Sequence, residues 1–205
     1  MTNNTRRPVN QNMRINILRA AMIVMLPLIF LGTPAYPAES VFAESLEVAG
    51  VLLIICGMLG RFWAILYIGG AKNREVMQWG PYSMMRHPLY TFSIMAVTGF
   101  GLMLSSLVTT LVLSGLVAAI LIVTARKEER FLRREFGQAY ADYAARVPMI
   151  LPRPSAFATP ARITVDVATL RRNFRDALVF LALIPLAEVA EKTRELQTIT
   201  SFLVY

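Results

Sequence analysis

Apolar and polar residues follow one another along this chain in long blocks, too long for the periodic face of a soluble helix. The first block runs from Ala20 to about Gly32 and extends back through Ile15, Ile17 and Leu18, predicting a span over about 15–34. The second, from Val48 to Gly70, is long enough at about 1.5 Å per residue to cross a hydrocarbon core of roughly 30 Å. From Leu89 to Ala125 no residue is charged, and that stretch is too long for a single crossing. Ser105-Ser106 offer side-chain hydrogen bonds to turn backbone, so the pattern predicts a hairpin of two spans, 89–105 and 107–125. Its two ends return to the same side.

Loop charges assign the sides. Residues 1–19 carry Arg6, Arg7, Arg14 and Arg19 and no acid, while 33–47 carry Glu39, Glu44 and Glu47 and no base. Residues 71–88 hold Lys72, Arg74 and Arg86 against Glu75. Basic loops stay inside, which places both termini, the 71–88 loop and everything beyond Arg126 in the cytoplasm. The expected setting is an inner membrane of bacterial type. The first block has a second reading, a cleavable signal peptide ending near the small residues Pro34 to Ala38.

Composition supports the membrane class, at 56% hydrophobic and 17% charged residues. The net charge of +8 is then a topology and lipid-headgroup signal, and no nucleic-acid-binding motif accompanies it. One cysteine, Cys56, and one histidine, His87, cannot form an intrachain disulfide or a zinc site of three or four such ligands, so no metal is expected. Arg61, near the middle of the second span, costs at least about 2.5–3.5 kcal/mol at that depth unless it faces the protein interior or a wet cavity. It caps a carbonyl or pairs internally in one reading, and contacts a ligand in the other.

After Ala125 the residues become a charge-rich amphipathic helix, Arg126 to Phe136, with Gly137 as its natural stop. A short helix through Tyr140 and Tyr143 ends before Pro148, so cytosolic helices occupy 126–147. Residues 1–154 form the membrane domain and 155–205 a tail. The tail's apolar run, Ala177 to Ala187, contains Pro185 and reads as an interfacial or bundle-packed helix, with a fifth span as the alternative. The fold class is thus all-α, a polytopic membrane helical bundle of about four spans with cytosolic C-terminal helices.

The hairpin brings Arg86, His87 and Tyr90 near Arg126, Glu128 and Glu129. Such a cluster at the membrane boundary can bind a polar cofactor from the cytosol and an apolar substrate from the bilayer. Taken singly its parts have structural readings. Arg86-His87-Pro88 is also an interfacial anchor and helix start, and Glu128-Glu129 also make i, i+4 pairs. Gly99-Phe-Gly101 lacks the strand and third glycine of a dinucleotide site and reads as close helix packing.

Gly80-Pro-Tyr-(x)3-Arg-His-Pro-(x)-Tyr, an apolar hairpin, and Glu128-Glu129-(x)2-Leu-(x)3-Phe-Gly-(x)2-Tyr-(x)2-Tyr-(x)2-Arg-Val-Pro together resemble the isoprenylcysteine carboxyl methyltransferase family. The related phospholipid N-methyltransferases share the first half. The resemblance covers about 69–152 and implies membrane helices with an S-adenosyl-L-methionine pocket on the cytosolic side. It implies that Arg74, Glu75, Val76, Met77, Tyr82, His87, Pro88, Leu89 and Tyr90 line the cofactor and that Glu128 closes over it. Arg86 and Arg126 would orient a carboxylate, and Glu129 or His87 would hold an amine acceptor unprotonated. A carboxylate acceptor needs no base, only alignment and exclusion of water.

Two departures stand out. Phe92 occupies a place where the family pattern has Gly, and Thr124 one where the isoprenylcysteine enzymes tend to have Arg. The tail has no counterpart in the pattern. The reading is a membrane-embedded methyltransferase of a lipophilic acceptor. The alternatives are a nicotinamide-dependent reductase of a sterol-like lipid and a non-enzymatic scaffold that binds anionic lipid.

Overall fold

The computed structural model describes residues 20, 23–27, 29, 32–34, 40–68, 76–165, 167–196 and 202–204. Half of the span expected at 15–34 lies outside the described residues, as do Arg74 and Glu75. The regular secondary structure of the described residues is helical apart from two three-residue segments, β1 (Gly32–Pro34) and β2 (Phe202–Val204), paired in parallel with Gly32 opposite Phe202.

The long helix α1 runs from Val41 to Ile68, starting well before the expected Val48. Ser40 explains the difference. Its side chain accepts from the Ala43 amide at 3.2 Å, and Glu44 in the first turn complements the helix dipole. Glu44 and Glu47, expected in a loop, are therefore helical. The inward face of α1 is made largely of small residues, Ala43, Gly50, Gly57, Gly60 and Ala64 beside Ile54 and Ile65, whereas Val48, Leu52 and Leu59 are exposed. That is the reverse of a soluble helix and suits lipid outside with close backbone contact inside.

A short turn of helix, α2 (Pro81–Met84), precedes the hairpin of α3 (Pro88–Met103) and α4 (Leu107–Phe136). α1 and α3 pack at backbone distance. A Cβ on Gly50 would stand 2.6 Å from the Gly99 carbonyl oxygen, so both positions need glycine. The turn falls at Leu104–Ser106, with Ser105 at φ 51°. Ser106 caps α4 by accepting from the Thr109 amide at 3.2 Å.

α4 continues without a break through Ala125 into the charged residues, so the expected span 107–125 and the first cytosolic helix are one rod. Nothing at Thr124-Ala125-Arg126-Lys127 interrupts a helix, since Ala, Arg, Lys and Glu are strong helix formers. It stops at Gly137, φ 52°, and α5 (Gln138–Arg146) follows. Among the described helices α1 and α4 are long and apolar enough to cross a membrane; α3 is apolar but has 16 residues.

The tail forms α6 (Val167–Leu178), a single 3₁₀ turn at Val179–Ala182, and α7 (Leu183–Leu196). It packs on the bundle. Ala187 and Ala190 are buried in one apolar cluster with Ile29, Ile54, Phe100, Met103, Leu104 and Leu113. Phe174 meets Phe62 of α1 edge to face at 5.1 Å.

Candidate active site

The polar stretch between α1 and α3 is folded by its own sequence. Gly80 sits at φ 60°, and a Cβ there would strike the Tyr67 ring at 2.4 Å. Pro81 and Pro88 each open a helix, with extended Met85 between the two. The segment after α5 lies back along this stretch. The amides of Arg86 and His87 donate to the carbonyls of Pro148 (2.8 Å) and Met149 (3.1 Å), and Thr91 Oγ1 donates to Ile150 O at 2.8 Å. Further along, Arg153 N donates to Met84 O at 3.1 Å and Gly80 N to Ala158 O at 2.8 Å.

Against this frame α4 presents Glu128 and Glu129, just past its apolar part. Arg86 Nε donates to Glu129 Oε1 at 2.7 Å, and its Nη1 donates to the carbonyls of Ala144 (2.5 Å) and Val147 (2.9 Å). Arg86 therefore ties the motif, α4 and the end of α5 together. His87 lies between the two carboxylates, with Nε2 at 3.3 Å from Glu129 Oε1 and Nδ1 at 3.8 Å from Glu128 Oε2. Its ring stacks on Tyr90, centroids 5.4 Å apart and nearly parallel. Tyr90 Oη donates to Glu128 Oε1 at 2.6 Å. Burial alone would raise the Glu129 carboxyl, but the His87 hydrogen bond and the Arg86 charge outweigh it and hold it below the usual carboxylate range.

Three tyrosines surround the cluster. Tyr143 Oη donates to the Tyr82 carbonyl at 2.8 Å. The hydroxyls of Tyr82 and Tyr140 are buried and have no hydrogen-bond partner among the described residues. Burial pushes all three phenols above their ordinary range, so each is a neutral donor.

The arrangement thus brings Arg86, His87, Tyr90, Glu128 and Glu129 into contact, with buried Pro88 and half-buried Leu89 at the start of α3 and Tyr82 beside them. Val76 packs against Tyr140, Tyr143 and Val147, and Met77 is half-buried next to it. Arg126 is not brought in. It is exposed, and its carbonyl accepts from Arg130 Nε at 3.4 Å. Helical rotation accounts for it: Glu128 and Glu129 lie on either side of the direction of buried Ala125, whereas Arg126 points about 100° away from Ala125 and about 160° away from Glu128. Arg61 donates to Leu89 O at 3.1 Å and to Ser93 Oγ, with Phe180 of the tail 4.8 Å from its guanidinium carbon; it caps the first turn of α3. Phe92 fills the notch left by Gly60 and tilts against Trp63, which meets Phe157. Tyr140 and Tyr143 stood in the sequence motif without an assigned role; their helical spacing after Gly137 was the available signal.

A sequence model described as "Phospholipid methyltransferase" matches residues 46–139. A cobalt-zinc-cadmium resistance protein, CzcN, of Cupriavidus metallidurans is 35% identical over 170 residues, 83% of this chain and 78% of that one. A nickel-cobalt-cadmium resistance protein, NccN, of Alcaligenes xylosoxydans xylosoxydans is 32% identical over 191 residues, 93% of this chain and 89% of that one. Protein-S-isoprenylcysteine O-methyltransferase B of Arabidopsis thaliana is 28% identical over 133 residues, 57% of this chain and 68% of that one. The chain belongs to one family with the two metal-resistance proteins, and its residues 46–139 match the phospholipid methyltransferase family, with more distant similarity to an isoprenylcysteine methyltransferase. No solved structure matches it.

The family match ends in the first turn of α5, so it includes the motif and both glutamates but leaves out the 148–158 return segment and the tail. An alignment covering 93% of the chain must include most of the tail, so the metal-resistance relative shares this region even though the family model does not.

Proposed function

We propose that this chain is an S-adenosyl-L-methionine-dependent methyltransferase, held in the membrane by about four helices and acting on a lipophilic acceptor. The observation that carries the reading is Glu128: a carboxylate still partly open to solvent, oriented by Tyr90 and bordered by His87, where the apolar part of α4 ends. Basic loops favour the cytoplasmic side for this end of the bundle.

The residues present suit that cofactor. Its ammonium and ribose hydroxyls need acceptors, which Glu128 supplies, and its carboxylate needs donors such as the buried Tyr140 hydroxyl and the imidazole of His87. The cofactor, when bound, supplies an electrophilic methyl on a sulfonium. Glu129 and Arg86 are positioning residues here, since their largely buried pair fixes His87 and the end of α5. Val76, Met77, Pro88, Leu89 and Tyr90 would form the walls that exclude water, and the remaining task is alignment of acceptor and methyl.

Two relatives carry metal-resistance names. Among the described residues no three His, Cys, Asp or Glu gather as a metal site.

The test is calorimetric titration of S-adenosylhomocysteine into the detergent-purified protein beside Glu128→Ala. Micromolar binding to the wild type, lost in a folded Glu128→Ala, is expected. Absence of binding to folded wild type overturns the reading.

A further inference from the structure

The charged end of α4 carries a face that the candidate active site does not use. Arg126, Lys127, Arg130, Arg133 and Arg134 are all exposed. At about 100° per residue they fall within one arc of about 120° on the helix. The acids of this rod, Glu128, Glu129 and Glu135, lie outside that arc. Among the described residues no carboxylate pairs with any of the five cations. Arg130 Nε donates to the Arg126 carbonyl, and Arg133 lies 5.8 Å from the Tyr140 ring. Cations at helical spacing repel one another, so this face is relieved when an anion from outside lies among them.

The same face further back says which anion. α4 is one unbroken helix, so the arc can be followed into its apolar part, where it holds Val112, Ala119 and Val123, all exposed. Val112, Ala119, Arg126 and Arg133 recur at every seventh position, close to two full turns, and so stand nearly in line. Gly115 falls in the same arc, and a Cβ there would meet nothing within 4 Å, which leaves a shallow notch facing outward. An apolar strip turned to the bilayer thus runs straight into a basic one.

Depth divides the cations. Leu107 to Ala125 measures about 28 Å along the axis, close to a hydrocarbon core of roughly 30 Å. Lys127 and Arg130 then stand about 3 and 7.5 Å beyond Ala125, at the depth of lipid headgroups, whereas Arg133 and Arg134 stand about 12 to 14 Å out. An acyl chain on the strip and a phosphate among the inner cations satisfy both halves of the face together. A second copy of the chain does not, because a symmetric contact through this face would set two basic strips against each other.

We propose that the outer face of α4 holds an anionic phospholipid, its acyl chain along Val112 to Val123 and its phosphate between Lys127 and Arg130. Glu128 points about 160° away from Arg126 on the same helix, so this lipid lies apart from the candidate active site. Such a site holds whether or not the cluster at His87 transfers methyl groups.

The test is native mass spectrometry of the full-length, delipidated protein in detergent, titrated with phosphatidylglycerol and phosphatidylcholine of identical acyl chains. Wild type is compared with two variants of equal charge change, Lys127→Gln/Arg130→Gln and Arg133→Gln/Arg134→Gln, each checked for helical content by circular dichroism. Wild type should prefer phosphatidylglycerol by about ten-fold or more, from more than one basic residue at a membrane surface. The inner variant should lose about ten- to thirty-fold of that affinity, and the outer variant about three-fold or less. Should the inner variant fail to fold, Lys127→Gln alone should lose about five-fold. Glycerol phosphate, the soluble headgroup, should not displace the bound lipid at equal concentration.

Equal affinity for the two lipids overturns the proposal, as does a folded inner variant, or Lys127→Gln, that binds phosphatidylglycerol like wild type. A larger loss from the outer variant overturns it in favour of an acidic cytosolic partner. Displacement by glycerol phosphate overturns the lipid as occupant and leaves a site for soluble phosphates. A wild-type dimer that excludes phosphatidylglycerol gives the face to a second copy instead.

Discussion

Arg86 and Glu129 form an ion pair at 2.7 Å, with 13% and 12% of their side chains exposed. The pair couples the motif histidine's neighbour to α4, and the same guanidinium caps two carbonyls at the end of α5. Arg86→Ala would leave a largely buried carboxylate and two carbonyl oxygens without that donor. The expected cost is about 3–5 kcal/mol, as for removal of one partner of a buried pair. Thermal unfolding in detergent checks it, and a midpoint like that of the wild type would show that the pair does not hold the site.

The same pair sets an acid limit. The folded Glu129 carboxyl titrates below its unfolded value of about 4.3, because His87 and Arg86 outweigh burial. A depressed carboxylate contributes its stability above the unfolded value and loses it as pH falls through the folded one. The thermal midpoint should therefore drop as pH is lowered from about 4.3 downward. Glu129→Gln should be less stable at neutral pH and show a flatter profile in that window. Parallel profiles for the two proteins would remove Glu129 from this role.

Much of the architecture could be read from residue order. An uncharged stretch from Leu89 to Ala125 has to fold back, and Ser105-Ser106 mark where. Boundaries are harder, because charge in the sequence reads as loop. Glu44 and Glu47 belong to α1, capped by Ser40, and the step from Ala125 to Arg126 changes solvent without breaking the helix. In the site, the Arg86-His87-Pro88 and Glu128-Glu129 motifs pointed to one another across the hairpin. What the pattern could not reveal was made by long-range backbone contacts. Pro148 and Met149 pair with Arg86 and His87, and Tyr143 clamps Tyr82 through a carbonyl. Such bonds leave no side-chain signature. Arg126 went the other way: it was near in sequence, and helical rotation carried it off the site face.

That rotation yields a third expectation. Arg126 is exposed, one position beyond buried Ala125. Arg126→Ala should leave S-adenosylhomocysteine affinity and turnover within about two-fold, since surface substitutions away from special features change little. A loss comparable with that of Glu128→Ala would mean that α4 presents a different face when ligand is bound.

The final prediction concerns the inward face of α1. Gly50 already holds its neighbours closer than a side chain allows, with the Gly99 carbonyl oxygen 2.6 Å and Met103 Cγ 2.7 Å from where a Cβ would stand. Gly50→Leu cannot be absorbed by moving a flexible side chain alone, because one obstacle is backbone. It should force α1 and α3 apart and cost about 1–3 kcal/mol or more by overpacking. Leu52, 57% exposed on the opposite face, is the control: Leu52→Ala should stay within about 0.5 kcal/mol. The contrast tests which face of α1 is packed, because a helix turned the other way would lose stability at the large apolar position and tolerate change at the small one. Thermal midpoints of both variants in the same detergent decide it, and the reverse order would sink the assignment of Leu52 to the lipid side.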